Sequence, residues 1–226
     1  MPQPSPAPAT TPPGTPTGVL GASALACRRG RRLLFQGLNL QLQPGSITWL
    51  RGRNGSGKTS LLRILAGLSA PAEGALLWNG ASGGAAQEAA HRGTLYLGHA
   101  NALKDDLRLA EALAFLAQLQ GLDDPTRRAR QALARLGLAS RADAPVRTLS
   151  QGQRRRGALA RLALDDAPCT WLLDEPYDAL DTDAVAVLSG LIEAQAGRGG
   201  AVLLTSHQAV PLAGATAFDL EPWRAP

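Results

Sequence analysis

From Trp49 to Arg63 the chain reads Trp-Leu-Arg-Gly-Arg-Asn-Gly-Ser-Gly-Lys-Thr-Ser-Leu-Leu-Arg, which puts Gly52, Gly57, Lys58 and Thr59 at the spacing G-x-x-x-x-G-K-[S/T]. Residues of these types in this order grip phosphate. Glycine lets the chain curl until successive backbone N–H groups point inward at the β- and γ-phosphate oxygens, where a Cβ would obstruct the approach. The segment Gly52, Arg53, Asn54, Gly55, Ser56, Gly57, Lys58, Thr59 and Ser60 is therefore the candidate nucleotide-binding loop. A helix starting near Lys58 adds the positive end of its dipole. Lys58 supplies a mobile point charge between the β- and γ-phosphates, and the Thr59 hydroxyl is placed to ligate a bridging Mg²⁺.

A second constellation is Thr170-Trp-Leu-Leu-Asp-Glu175, an apolar run closed by two carboxylates. A parallel strand buried on both faces reads as continuous apolar sequence, and its carboxyl end opens on the ligand crevice of such a sheet. Asp174 can then hold Mg²⁺ through its water shell, while Glu175 polarises the water that attacks the γ-phosphate. Alone, an Asp-Glu pair fits a helix cap equally well. The phosphate loop upstream decides for catalysis.

These groups need a sheet and helices to hold them. The pattern predicts strands over 19–27, 38–42, 46–50, 75–78 and 94–97, a helix over 59–68, and a Gly/Ala-rich connection over 80–93. From 109 to 138 the periodicity turns helical, with Leu109, Leu113, Leu116 and Leu119, then Leu133, Leu136 and Leu138. Asp123, Asp124 and Pro125 break it in the middle, because Asp caps a helix and Pro opens one. A basic helix over 154–164, the strand into Asp174, a helix and a last strand complete the order. A helical insert over about 100–160 in an otherwise α/β chain marks a subdomain.

The 226 residues suffice for one large α/β domain or two small ones. Of 23 basic residues, Lys58 and Lys104 are the only lysines, leaving 21 arginines. With abundant Ala, Leu and Gly, that bias reads as genome composition, and the formal net charge of +5 is a weak argument for nucleic acid or an anionic surface. Cys27 and Cys169 sit in apolar stretches without CxxC spacing and read as reduced core residues. Residues 1–18, rich in Pro, Thr, Gly and Ala, cannot bury enough surface to offset chain ordering, so a disordered tail is expected before a domain over 19–226. The tail lacks the basic and apolar regions of a secretory signal. No apolar run reaches the ~18–20 residues that span a bilayer.

Leu149-Ser-Gln-Gly-Gln153 precedes the basic helix and resembles the LSGGQ signature loop of ABC ATPases, with Gln151 in place of the first glycine. The resemblance extends to Glu175-Pro-Tyr-Asp-Ala-Leu-Asp181, similar to the Walker B and D-loop region, and to Ser206-His207, similar to the switch histidine. It covers roughly 19–210 with four motifs in order. It implies a P-loop NTPase core with an antiparallel β subdomain and a helical subdomain, ATP and Mg²⁺ as ligands, and His207 as a catalytic partner of Glu175. In that family the signature loop acts in trans, which implies a head-to-tail homodimer sandwiching two ATP molecules; Ser150, Gln151, Gly152 and Gln153 would contact the nucleotide of the opposite protomer. An N-terminal helix end at that loop is itself an anion site.

Within the family, Tyr96-Leu-Gly-His-Ala-Asn-Ala-Leu-Lys104, Glu111-Ala-Leu-Ala-Phe115 and Gln153-Arg-Arg-Arg-Gly-Ala-Leu-Ala-Arg161 most resemble the haem-exporter ATPases of cytochrome c maturation. The resemblance implies a peripheral subunit at the cytoplasmic face of a bacterial inner membrane, with permease partners similar to CcmB and CcmC and no nucleic acid. An ABC ATPase for another cargo shares the same motifs. Those acting on ribosomes or DNA carry two cassettes or a long coiled coil; here there is one cassette, with Lys58 and Leu149 only 91 positions apart. Two places depart from the family. The glutamine usual after the strand at 94–97 is replaced at Ala100, where His99 or Asn101 would substitute, and the adenine-stacking aromatic is replaced in Arg28-Arg29-Gly30, where the planar guanidinium of Arg29 can stack.

Overall fold

The computed structural model describes residues 18–225. The tail expected over 1–18 falls, except for Gly18, outside the described residues. Two sheets organise the chain. β1 (Leu20–Arg29), β2 (Arg32–Leu42) and β4 (Glu73–Trp78) form an antiparallel sheet in the order β2-β1-β4. β3 (Ile47–Arg51), β5 (Thr94–Leu97), β6 (Thr170–Leu173), β7 (Ala201–Thr205) and β8 (Thr216–Asp219) form a parallel sheet in the order β5-β6-β7-β3-β8. Among the described residues six α-helices accompany them: α1 (Lys58–Leu65), α2 (Gly84–Arg92), α3 (Leu109–Leu119), α4 (Pro125–Arg135), α5 (Gln151–Leu159) and α6 (Thr182–Gly197).

The central strands β6 and β7 are buried along their whole length, as their unbroken apolar sequences require. Strand alternation then divides the interior in two. Trp171, Leu173, Val202 and Leu204 face a core built with α3, α4, α5 and α6, whereas Leu172 and Leu203 face one built with α1, α2 and the antiparallel sheet. Trp171 is 2 % exposed, and truncating so large a buried side chain to Ala would cost about 3–5 kcal/mol. Among the described residues no helix is long and apolar enough to cross a membrane.

The helical break at 123–125 falls where the sequence puts it: the Asp124 carboxylate accepts from the Arg127 N–H at 3.3 Å and Pro125 opens α4. Elsewhere the elements differ from the sequence pattern. The connection over 80–93 contains α2, whose only buried residues are Ala86 and Ala90, one turn apart. Two small side chains leave too faint a stripe to read against the surrounding glycines. β2 begins at Arg32, well before 38, because Leu33, Leu34 and Phe35 continue the hairpin with β1, while Gln36 and Gly37 interrupt the alternation in sequence. β8 escaped notice as a short, mostly exposed edge strand. The basic helix starts at Gln151 and not at 154, with Ser150 as its cap, and a 3₁₀ segment, Ala160–Ala163, completes it.

Candidate active site

The phosphate loop spans the gap between β3 and α1. Two glycines are obligatory there. Gly57 has φ +108°, and a Cβ on it would come within 3.0 Å of the Phe35 ring. Gly52 has φ +150°, and a Cβ there would meet Ser56 Oγ at 2.8 Å. The Lys58 ammonium folds over the loop, donating to the carbonyls of Gly52 at 2.7 Å and Arg53 at 3.3 Å. From the far side, the Arg53 N–H donates to Glu221 Oε1 at 3.0 Å, which ties the loop to the chain end. Ser56 is buried, with its hydroxyl unpartnered.

Over the loop lies a cavity of about 470 Å³. Asn54, Gly55 and the stretch from Gly57 to Ser60 form one wall, Asp174, Glu175 and His207 another, and Arg29, Arg32 and Leu34 the far end. Asp174 is 3 % exposed, and its Oδ1 accepts from Thr205 Oγ1 at 3.0 Å. The same hydroxyl accepts from the Glu175 N–H at 2.8 Å, so one threonine at the end of β7 fixes both residues that follow β6. Glu175 stands at φ +49°, a left-handed conformation costing a non-glycine residue about 1–2 kcal/mol. That turn aims the side chain at the Ser206–His207 segment, where Glu175 Oε2 accepts from the His207 N–H at 3.0 Å. The His207 ring places Nε2 3.5 Å from Oε1. Burial pushes the Glu175 carboxyl above its ordinary range; the His207 charge opposes the rise, and Asp178 and Asp174 add to it.

Among the described residues no three His, Cys, Asp or Glu side chains gather to chelate a cation unaided. The donor set nonetheless suits Mg²⁺ held alongside a phosphate: Thr59 and Asp174 line the same cavity, and Mg²⁺ takes one or two protein oxygens and fills its octahedron with phosphate oxygens and water.

The structure brings most of the sequence-predicted residues together but not all. Gly52 and Arg53 line a separate hollow beneath the loop, of about 400 Å³. Ser150, Gln151, Gly152 and Gln153 do not line the cavity over the phosphate loop. There the Ser150 hydroxyl accepts from the Gln153 N–H at 3.2 Å and the Gln153 side chain accepts from the Ser150 N–H at 3.0 Å, a reciprocal cap. Of the two candidates beside Ala100, His99 lines the cavity and Asn101 points to Arg155.

Three residues escaped the sequence reading. Thr205 reads as the end of an apolar strand. Arg32 hides in a run of surface arginines at the hairpin tip. Arg155 is 4 % exposed although it stands inside Arg154-Arg155-Arg156; its spacing of four and seven from Leu159 and Leu162 puts it on the apolar face of the helix, which is the available signal.

A curled phosphate loop at the junction of β3 and α1, facing carboxylates at the end of the buried strand β6 two places away in the sheet, defines a nucleotide-hydrolysing P-loop protein. Residues 35–178 match the family model described as "ABC transporter". A relative from Aromatoleum aromaticum, "Cytochrome c biogenesis ATP-binding export protein CcmA", is 49% identical over 87% of this chain and 92% of its own length. The protein of the same name from Nitrosospira multiformis is 46% identical over 87% of this chain and 95% of its own. Among solved structures, an ATP-binding cassette determined as a dimer in a post-hydrolysis state with ADP and Pi superposes with TM-score 0.72 at 21% identity, covering 84% of this chain and 88% of that one. The chain belongs to the ABC transporter family of ATP-binding subunits, in the group of the CcmA export proteins of cytochrome c biogenesis. It is an ATPase of that family, and its fold is the ABC cassette.

Proposed function

We propose that the chain powers a transporter complex in c-type cytochrome biogenesis, coupling ATP binding and hydrolysis to haem export or to release of a haem-loaded chaperone. The observation that carries this reading is the convergence of the Lys58 loop, Asp174, Glu175 and His207 on one cavity, in a chain whose relatives carry that pathway in their names.

In this reading the N–H groups from Asn54 to Ser60 hold the β- and γ-phosphates, and Lys58 exchanges the Gly52 and Arg53 carbonyls for phosphate oxygens. Mg²⁺, when bound, would neutralise charge on those oxygens, with Thr59 and Asp174 holding it directly or through water. Glu175 orients the attacking water and accepts its proton. His207 fixes Glu175 through its N–H and offers its ring to the γ-phosphate. Arg29 packs on the nucleotide base.

The signature residues Ser150, Gln151, Gly152 and Gln153, outside their own cavity, complete the site of a second protomer, which supports a head-to-tail homodimer closed by two ATP molecules. The dimeric cassette of the same fold also supports it. The subunit works peripherally at the cytoplasmic face of the inner membrane, held by permease subunits similar to CcmB and CcmC. A cleft of about 510 Å³ beside β5, with Leu68 50% and Leu119 68% exposed at its rim, supports docking of a permease segment.

A chromosomal Glu175→Gln change tests the pathway. The complex should still co-purify with its permease while covalent haem in c-type cytochromes disappears from a peroxidase-stained gel, and b-type cytochromes persist. Normal covalent haem in a strain whose purified ATPase is inactive would overturn the cytochrome c role.

A further inference from the structure

Arg155 sits in the second turn of α5, five residues after the Ser150 cap, and is 4 % exposed. Burying a guanidinium is costly unless its donors find acceptors. Here the two terminal nitrogens find oxygens on two other segments, while Nε is buried without a partner. Nη2 donates to the Glu175 carbonyl at 2.6 Å and to the Asp174 carbonyl at 3.3 Å. Nη1 donates to the carbonyls of Gly98 at 3.3 Å and His99 at 3.4 Å, and to Asn101 Oδ1 at 3.5 Å. One rigid fork thus joins the signature helix to the end of β6 and the loop after β5. Its acceptors are four main-chain carbonyls and one amide. No carboxylate oxygen lies in direct ion-pair contact with it among the described residues.

The Glu175 peptide is held from both sides. Its N–H donates to Thr205 Oγ1 at 2.8 Å and its carbonyl accepts from Arg155 at 2.6 Å. A left-handed conformation at a non-glycine residue persists only where its surroundings over-determine it. These two bonds supply that constraint at φ +49°. α5 also packs closely on α3, where a Cβ on Gly157 would meet Leu109 Cδ1 at 2.8 Å. The helix that presents the signature loop is thus joined directly to the Glu175 backbone through the Arg155 fork.

We propose that Arg155 is a positioning residue for hydrolysis: it sets the Glu175 carboxylate through the main chain, and it carries the position of the signature loop to Glu175 and to the His99 loop of the same protomer. This rests on the ATPase reading above. Arg155 does not line the cavity over the phosphate loop. Its loss should therefore lower turnover per bound nucleotide and leave nucleotide binding in place.

The test uses the full-length chain with Arg155→Met, which removes the fork at similar length, and Arg155→Lys, which keeps the charge but not the two-armed geometry. Lys58→Ala serves as the control on the ATPase reading itself. Binding-competent sites are counted with a fluorescent ATP analogue, so a partly folded preparation does not masquerade as slow chemistry. Expected for Arg155→Met is a fall in kcat per competent site of about thirtyfold or more, with KM for ATP within about threefold of wild type, and partial recovery in Arg155→Lys. The Glu175→Gln/Arg155→Met double variant should still dimerise with ATP. If Arg155→Met does not fold, the same split of kcat from KM is expected, smaller in size, for Arg155→Lys. Wild-type kcat per competent site in the folded variant would overturn the proposal, as would a KM effect with kcat unchanged. If Lys58→Ala turned over like wild type, the ATPase assignment would fail instead, and the two failures are thereby distinct.

Discussion

The main-chain N–H of His207 donates to Glu175 Oε2 at 3.0 Å while its ring Nε2 stands 3.5 Å from Oε1 of the same carboxylate. One residue thus orients the carboxylate through a bond that any side chain would keep, and reaches the cavity through a ring that only histidine supplies. His207→Ala separates the two. Binding of ATP should change by less than about threefold, since the phosphate loop is untouched, and turnover should fall about a hundredfold, the cost typical of losing one transition-state donor. Steady-state kinetics on the purified variant decide it; turnover within threefold of wild type would remove the ring from the chemistry.

A base must be deprotonated to act, and burial raises the Glu175 carboxyl above its ordinary 4.5. Turnover at saturating ATP should therefore decline, as pH falls, with a midpoint above 4.5. The pH profile of kcat measures this. An acid limb at or below the ordinary glutamate value would contradict the buried environment assigned to Glu175.

The end of the cavity proposed to receive the base is lined by Arg29, Arg32 and Leu34, with no aromatic ring among these three. A guanidinium packs on any purine face, so GTP should compete with ATP within about tenfold, equivalent to ~1.4 kcal/mol. Arg29→Ala should weaken both nucleotides alike. Competition titrations check this, and a strong preference for ATP untouched by the substitution would take Arg29 out of the site.

What the sequence made legible was chemistry written in consecutive residues. The phosphate loop, the apolar strand into Asp174 and Glu175, and the Asp124–Pro125 break are local, since glycine conformation, strand burial and capping act within a few positions. What it hid depends on which face of an element is covered. Arg155 reads as the middle of a solvated arginine run because composition dominates the run, although its helical phase puts it inside. Thr205 matters only once β7 lies beside β6 and one hydroxyl can serve both Asp174 and the Glu175 N–H. α2 was missed because Ala86 and Ala90 bury too little surface to stand out among glycines. The start of α5 at Gln151 was shifted by the glycine at 152, which suggests a loop but sits in the first turn, where Ser150 caps it.

The central claim is that Glu175 supplies the base in a site completed by the signature loop of a second protomer. Size exclusion with light scattering on purified Glu175→Gln, run with and without ATP and Mg²⁺ and paired with a phosphate-release assay, tests it most directly. The account predicts a stable dimer retaining two nucleotides only when ATP is present, and phosphate release at background. A variant that stays monomeric with ATP and hydrolyses it at the wild-type rate would contradict both the base and the shared site.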